Sequence, residues 1–118
     1  MTVGQAREPR VGTAAKPVML IARFEGDVRS LVEAYDRAHA KIGSAGGTKR
    51  IGELRHHCAT GDGCLYIIGV WKSEEHLRAR WSSHEFEETL TSVGFPSPKT
   101  AHVTILDVHE IEPPLEPG

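Results

Sequence analysis

The 118-residue sequence predicts a single α+β domain with the element order β-α-β-β-α-β and an antiparallel sheet. Three observations carry this. Short apolar runs alternate with amphipathic stretches of three- and four-residue period. A Gly-Asp-Gly cluster lies between two apolar runs and marks a hairpin. Hydroxyl or acidic residues followed by helical patterning mark helix starts. The chain is too short for two independent cores, so one ferredoxin-like arrangement of helices on one face of the sheet accounts for all of it.

The first strand is read over Val18-Met19-Leu20-Ile21-Ala22-Arg23-Phe24, a nearly unbroken apolar run. Gly26-Asp27 stops it, and Asp27 is a suitable N-cap. Val28, Leu31, Tyr35, Ala38 and Ile42 then form one apolar helical stripe, which Gly43-Ser44-Ala45-Gly46-Gly47 ends. The hairpin arms are read as residues 50–59 and 64–71, joined by Thr60-Gly61-Asp62-Gly63. Ser73-Glu74-Glu75 opens a second helix, with two carboxylates against its positive end. Ser82 and Glu85 are spaced as a capping box and predict a third short helix carrying Phe86, Leu90 and Val93. A final strand is expected over residues 102–111. Residues 1–16 read as a flexible N-terminal arm, 17–112 as the folded domain and 113–118 as a C-terminal tail.

Fourteen Lys and Arg against sixteen Asp and Glu give a net charge of -2. No basic field exists to hold nucleic acid or acidic lipid. No apolar run approaches the roughly 20 residues that span a bilayer, and the opening residues lack an apolar signal core. A cytoplasmic protein is expected. Its two cysteines, Cys58 and Cys64, form no disulfide framework and read as free thiols, although they flank the hairpin loop and may face one another. No His-x-x-x-His pair is present, and adjacent His56 and His57 point to opposite faces of a strand. No metal site is therefore predicted.

The third strand, Cys64-Leu65-Tyr66-Ile67-Ile68-Gly69-Val70-Trp71, is apolar on both faces, whereas a half-solvated antiparallel strand should alternate. Two or three short helices cover one face only. A second copy of the chain is the simplest cover for the other, so a homodimer is expected.

The stretch from Tyr66 to Leu77, followed by Trp81 and Ser83-His84-Glu85-Phe86, resembles the dimeric α+β barrel superfamily, and within it the antibiotic-biosynthesis monooxygenase-like family. The shared features are a Trp closing the third strand, a Ser-Glu-Glu helix start and a Ser-x-x-Phe restart. The resemblance spans about residues 17–112, with its motif confined to 66–86. It implies a homodimer with a small-molecule pocket and, in some members, cofactor-free oxidation of aromatic polyketides. Other members degrade haem or isomerise lactones. Two departures matter. Many relatives carry a His about where Arg80 stands, and haem-degrading relatives use an Asn, Trp and His set of which only the Trp has a match, in Trp71. The first strand has no Asn, so no haem and no other cofactor is expected.

Reading the hairpin loop as symmetric, Glu53, Arg55, His57, Leu65, Ile67 and Trp71 share one face, and His56, Cys58, Tyr66 and Ile68 the other. The resemblance places the Trp face toward the helices, which makes Arg55, His57 and Trp71 pocket candidates, with Trp81, Arg80 and His84 from the helical cover. A base is needed to form an electron-rich anion, and histidine titrates in the useful range: His57 or His84 is the candidate. Arg55 or Arg80 would stabilise the anion, and Trp71 and Trp81 would stack on the substrate. Against each stands a plainer role: Trp71 and Trp81 as core, His84 as a surface residue, His39 and His76 as solvated side chains. The expected function is a cofactor-independent monooxygenase-like enzyme on an aromatic or polyketide-like molecule. The alternatives are a non-catalytic binding or accessory barrel, or an isomerase or cyclase using the same pocket.

Overall fold

The computed structural model describes residues 16–115. The expected arm over 1–16 lies outside the described residues except for Lys16, as does the tail beyond Leu115. Strand β1 (Val18–Glu25) leads into helix α1 (Val28–Ser44), followed by a 3-10 turn at Lys49–Ile51. Strands β2 (Glu53–Gly61) and β3 (Cys64–Trp71) form the hairpin. Helices α2 (Glu74–Trp81) and α3 (His84–Ser92), a second 3-10 turn at Pro98–Thr100 and strand β4 (His102–Asp107) complete the chain. The sheet order is β2-β3-β1-β4, antiparallel throughout. The fold is α+β and ferredoxin-like, as the sequence predicts.

Strand β1 shows how the layers separate. Val18, Leu20, Ala22 and Phe24 are buried toward the helices, while Met19, Ile21 and Arg23 alternate outward and are only partly covered. The inner set packs on Leu31, Ala34 and Ala38 of α1, Leu77 of α2, and Phe86 and Leu90 of α3. Each helix starts on a side-chain cap. Asp27 Oδ2 accepts from Ser30 N at 3.0 Å, and Ser73 Oγ accepts from His76 N at 3.2 Å. No helix among the described residues is long and apolar enough to cross a membrane.

Three expectations are corrected. Helix α3 is capped by Ser83, whose Oγ accepts from Phe86 N at 3.1 Å, because the Ser82 hydroxyl is turned back to Arg78 O at 2.7 Å and closes α2. Strand β4 stops at Asp107, not at 111. Its partner there is Val18, and the next residue, Pro17, accepts from Val108 N at 3.1 Å but has no N–H to return. The chain then reaches back to β2, where Arg55 Nη2 donates to Pro113 O at 2.8 Å.

The third correction is the hairpin register. The turn has two residues, Asp62 (φ 52°) and Gly63 (φ 74°), with Gly61 opposite Cys64. Positive φ at both positions is the turn that matches strand twist, and Asp-Gly meets it. An even-length turn exchanges the faces of β2 relative to a symmetric reading. His56 and Cys58 therefore lie opposite Gly69 and Ile67 on the helix side, and His57 lies opposite Ile68 on the outer side. A register shift between Glu53 and Arg55 then bulges Leu54 out of step and returns Glu53 to the inner face beside Trp71. Cys58 and Cys64 end on opposite faces, both free.

Candidate functional site

A cavity of about 130 Å³ lies between α1, the start of the hairpin and helices α2 and α3. Ile42, Ile67 and Leu90 supply aliphatic walls, and Trp71, Trp81 and Phe86 aromatic ones. Phe86 meets Trp81 edge-on at 5.3 Å between centroids. The polar lining comes from Tyr35, His39, Thr48, Glu53, His56 and Arg80.

Four of those polar groups are connected. Thr48 Oγ1 donates to Glu53 Oε1. Glu53 Oε2 lies 2.8 Å from His56 Nδ1, and His56 Nε2 lies 2.6 Å from Tyr35 Oη. A carboxylate only accepts, which puts a proton on His56 Nδ1; in the neutral ring, Nε2 then accepts from the Tyr35 hydroxyl. Burial pushes the Tyr35 phenol well above its ordinary value, with further upward contributions from Cys58, Glu53 and Asp36. Tyr35 is accordingly a neutral donor at physiological pH, and its oxygen keeps acceptor capacity toward the cavity. His39 completes a ring stack at the rim, 5.7 Å from Tyr35 and 5.8 Å from His56 between centroids. The Cys58 thiol is pushed up by partial burial and then by Asp36, which keeps it in its unreactive protonated form.

Gly69 makes the arrangement possible. A Cβ there would sit 2.7 Å from Glu53 Oε2 and 2.9 Å from Trp71 Nε1. Only a residue without a side chain lets the carboxylate and the indole edge converge over β3. Trp71 is 2% exposed, and its Nε1 has no hydrogen-bond partner. A buried donor left unmade costs on the order of 1–3 kcal/mol. Arg80 lays its guanidinium 4.6 Å from the Phe86 ring centroid and faces the exposed Glu85 carboxylate at 3.8 Å.

The candidates named from sequence divide as follows. Trp71, Trp81 and Arg80 line the cavity. Arg55 and His57 do not: the two-residue turn places both on the outer face, where Arg55 holds Pro113. His84, exposed at the first turn of α3, is not part of the lining either. The expectation that these three reach the pocket is corrected. Sequence reasoning missed His56, Glu53, Thr48 and Tyr35 as a connected set. Asp62-Gly63 was the available signal for His56, since that dipeptide favours a two-residue turn. Nothing in the sequence marks the bulge at Leu54, and Tyr35 was hidden in the apolar stripe of α1. His39 and His76 are both exposed, as expected, and His39 stands at the rim. His76 turns back to Ser73, with Nδ1 2.6 Å from the hydroxyl.

Among the described residues no three His, Cys, Asp or Glu side chains converge as metal ligands. Haem does not fit these residues: both nitrogens of His56 are engaged within the protein, and the cavity is near the ~150 Å³ that takes a single benzene ring.

No protein-family model matches the chain, and no curated protein matches it. Solved structures do. SnoaB, a cofactor-independent oxygenase from Streptomyces nogalater, is similar at 19% identity and a TM-score of 0.58, covering 85% of this chain and 100% of that one. A Caulobacter crescentus protein provisionally named an antibiotic biosynthesis monooxygenase gives 13% identity and a TM-score of 0.60, over 81% of this chain and 92% of that one. A haem-degrading protein of Mycobacterium tuberculosis gives 17% and 0.51, over 82% and 96%. At these identities the likeness speaks for architecture, and it agrees with the strand order and helix placement above. The chain shares the ferredoxin-like α+β fold of these solved structures.

Proposed function

We propose that this protein is a cofactor-independent monooxygenase-like enzyme acting on an aromatic or polyketide-like small molecule. The single observation that carries the reading is the Glu53–His56–Tyr35 chain of hydrogen bonds at the wall of an aromatic-lined cavity. A substrate hydroxyl donates to Tyr35 Oη while the Tyr35 proton passes to His56 Nε2, and the Glu53 carboxylate stabilises the imidazolium formed. Moving the proton in concert spares the unfavourable tyrosinate. His56 takes the role of base, and Trp71, Trp81 and Arg80 hold the ring and its negative charge.

The electron-rich anion then supplies all four electrons needed to reduce dioxygen. One oxygen atom enters the ring carbon that loses hydrogen, and the other leaves as water. No reductant or redox group is required. The likeness in fold to SnoaB, a cofactor-independent oxygenase, supports this reading by analogy.

The working unit in this proposal is a homodimer. Met19, Ile21, Tyr66 and Ile68 stand half-covered on the outer face of the sheet, and Leu106 is 47% exposed. Each large side chain contributes roughly 1.5–3 kcal/mol when fully buried, and one self-complementary sheet face favours a two-fold pair. The free thiols fit a reducing cytoplasm.

Oxygen uptake in cofactor-free, chelator-treated buffer, with anthrones and electron-rich phenols, tests the reaction. One dioxygen per substrate is expected, and His56→Ala should lower the rate by about 10²–10⁴-fold. Conversion without oxygen consumption would instead establish the isomerase alternative. Turnover that His56→Ala leaves intact would refute the assignment of the base.

A further inference from the structure

We propose that the cavity binds a single-ring phenolate, and that binding loads one proton onto His56, which turns the Tyr35 hydroxyl from an acceptor into a donor toward the ligand. The inference rests on the proposed site and names the charge state of the ligand it recognises.

Hydrogen counting gives the first argument. Glu53 Oε2 accepts from His56 Nδ1 at 2.8 Å, and Thr48 occupies Oε1, so the Nδ1 proton is held where it is. His56 Nε2 and Tyr35 Oη stand 2.6 Å apart, and a pair that close shares one proton. In the neutral ring that proton is the phenol's own. A hydroxyl has only one to give, so Tyr35 then offers a ligand nothing but lone pairs. With a second proton on the ring, Nε2–H donates to Oη, and the Tyr35 proton is released toward the cavity that Tyr35 lines. A change of protonation at His56 thus inverts what this wall presents.

Charge gives the second. A phenolate facing the neutral ring meets lone pairs and is repelled. Facing the protonated ring it accepts from Tyr35, and the imidazolium then lies between two anions, the phenolate and Glu53. Burial holds the Tyr35 phenol well above its ordinary value, so Tyr35 remains the shared donor between ligand and histidine. Of the other titratable groups around His56, α1 brings the exposed Asp36 and His39, β2 brings the Cys58 thiol, kept protonated, and α2 brings Arg80 to the lining. His39 is the second imidazole, with its ring 5.8 Å from that of His56, and is the control for where the proton goes.

Size gives the third. The cavity encloses about 130 Å³, and a protein cavity of about 150 Å³ takes one benzene ring. A three- or four-ring molecule would leave most of its rings outside the walls formed by Trp81 and Phe86.

The test titrates the full chain by calorimetry with p-nitrophenol at about pH 8, where this ligand is largely an anion and an ordinary imidazole is neutral. Buffers of different ionisation enthalpy count the protons exchanged, and the visible phenolate band reports the charge of the bound ligand. About one proton should be taken up per ligand, with the phenolate band retained. The neutral p-cresol should bind without proton exchange. His56→Gln, which cannot take a second proton, and Tyr35→Phe should each abolish the uptake, and Tyr35→Phe should weaken p-nitrophenol binding at least about tenfold. His39→Gln should change neither. A wild-type chain that fails to bind p-nitrophenol, or binds it without proton uptake or with loss of the phenolate band, overturns the proposal. So does uptake that follows His39 instead of His56. Oxygen consumption with anthrones, recorded separately, keeps the two claims apart. Proton uptake without oxygen consumption supports this ligand class and removes the oxygenase reading, and oxygen consumption without proton uptake does the reverse.

Discussion

The two faces of the sheet are built from similar residue types and serve different ends. The inner face carries Leu20, Ala22, Phe24, Leu65, Ile67 and Trp71, nearly all closed off by three helices. The outer face carries Met19, Ile21, Tyr66, Ile68 and Leu106, none of them fully covered, beside the buried Val70 and Cys64. Apolar content does not separate them. The placement of a few polar groups does. On the inner side the buried Glu53 carboxylate bonds to the exposed His56, which bonds to the half-buried Tyr35, so the network runs from the edge of the core to the surface. On the outer face Arg23 pairs with the exposed Glu25 at 2.6 Å and Arg55 ties down Pro113, contacts near the edges that leave the apolar centre flat. In the proposed reading the polar network is the site of chemistry and the apolar outer face the site of association.

The comparison is broken most easily at the adjacent histidines. His56→Ala and His57→Ala change the same residue type one position apart on opposite faces. The first should lower turnover of an accepted substrate by about 10²–10⁴-fold, and the second should leave it within about twofold. Equal losses from both would show that the faces are not distinct.

Leu20 and Ile21 extend the comparison to stability. Leu20, 1% exposed, should cost about 2–5 kcal/mol when replaced by Ala, read from urea unfolding. Ile21→Ala should cost nearer to about 1 kcal/mol within one chain, and its main effect should be a Tm that falls on dilution. The glycines sharpen the picture further. Gly69→Ala forces a Cβ against Glu53 and Trp71 and should cost about 1–3 kcal/mol, whereas Gly61→Ala meets nothing within 4 Å and should stay within about 0.5 kcal/mol.

The smallest effect is an alkaline one. Because the Tyr35 phenol is held above its ordinary value, the folded protein keeps a proton that the unfolded chain loses from about pH 10 upward. Stability should therefore decline as pH rises past that point. Tyr35→Phe should flatten that decline in urea midpoints measured against pH, and should remove a late step from the tyrosinate absorbance titration.

Much of the fold was legible because local signals and global order agree. Asp27 and Ser73 cap the helices that their positions announce, and the period-two burial of Val18, Leu20, Ala22 and Phe24 follows from a strand with helices on one side. The site was less legible because it depends on parity. Asp62-Gly63 fixes an even turn, which moves His56 inward and His57 outward, and a one-residue slip reverses every face in the strand. Glu53 was placed on the Trp71 face by a symmetric loop, and it is found there because the even turn and the bulge at Leu54 cancel. Trp71 was found through the resemblance, which put its face toward the helices, and Trp81 and Arg80 through their place on the helical cover. None of the three depended on the parity of the loop.

The tautomer of His56 tests the central claim without any substrate. Long-range ¹H–¹⁵N spectra of the histidine rings in the wild type and in Glu53→Gln should show His56 fixed as the Nδ1–H form and changed by the substitution, with His57 unaffected. A His57 ring that responds to Glu53, or a His56 ring that does not, would contradict the account.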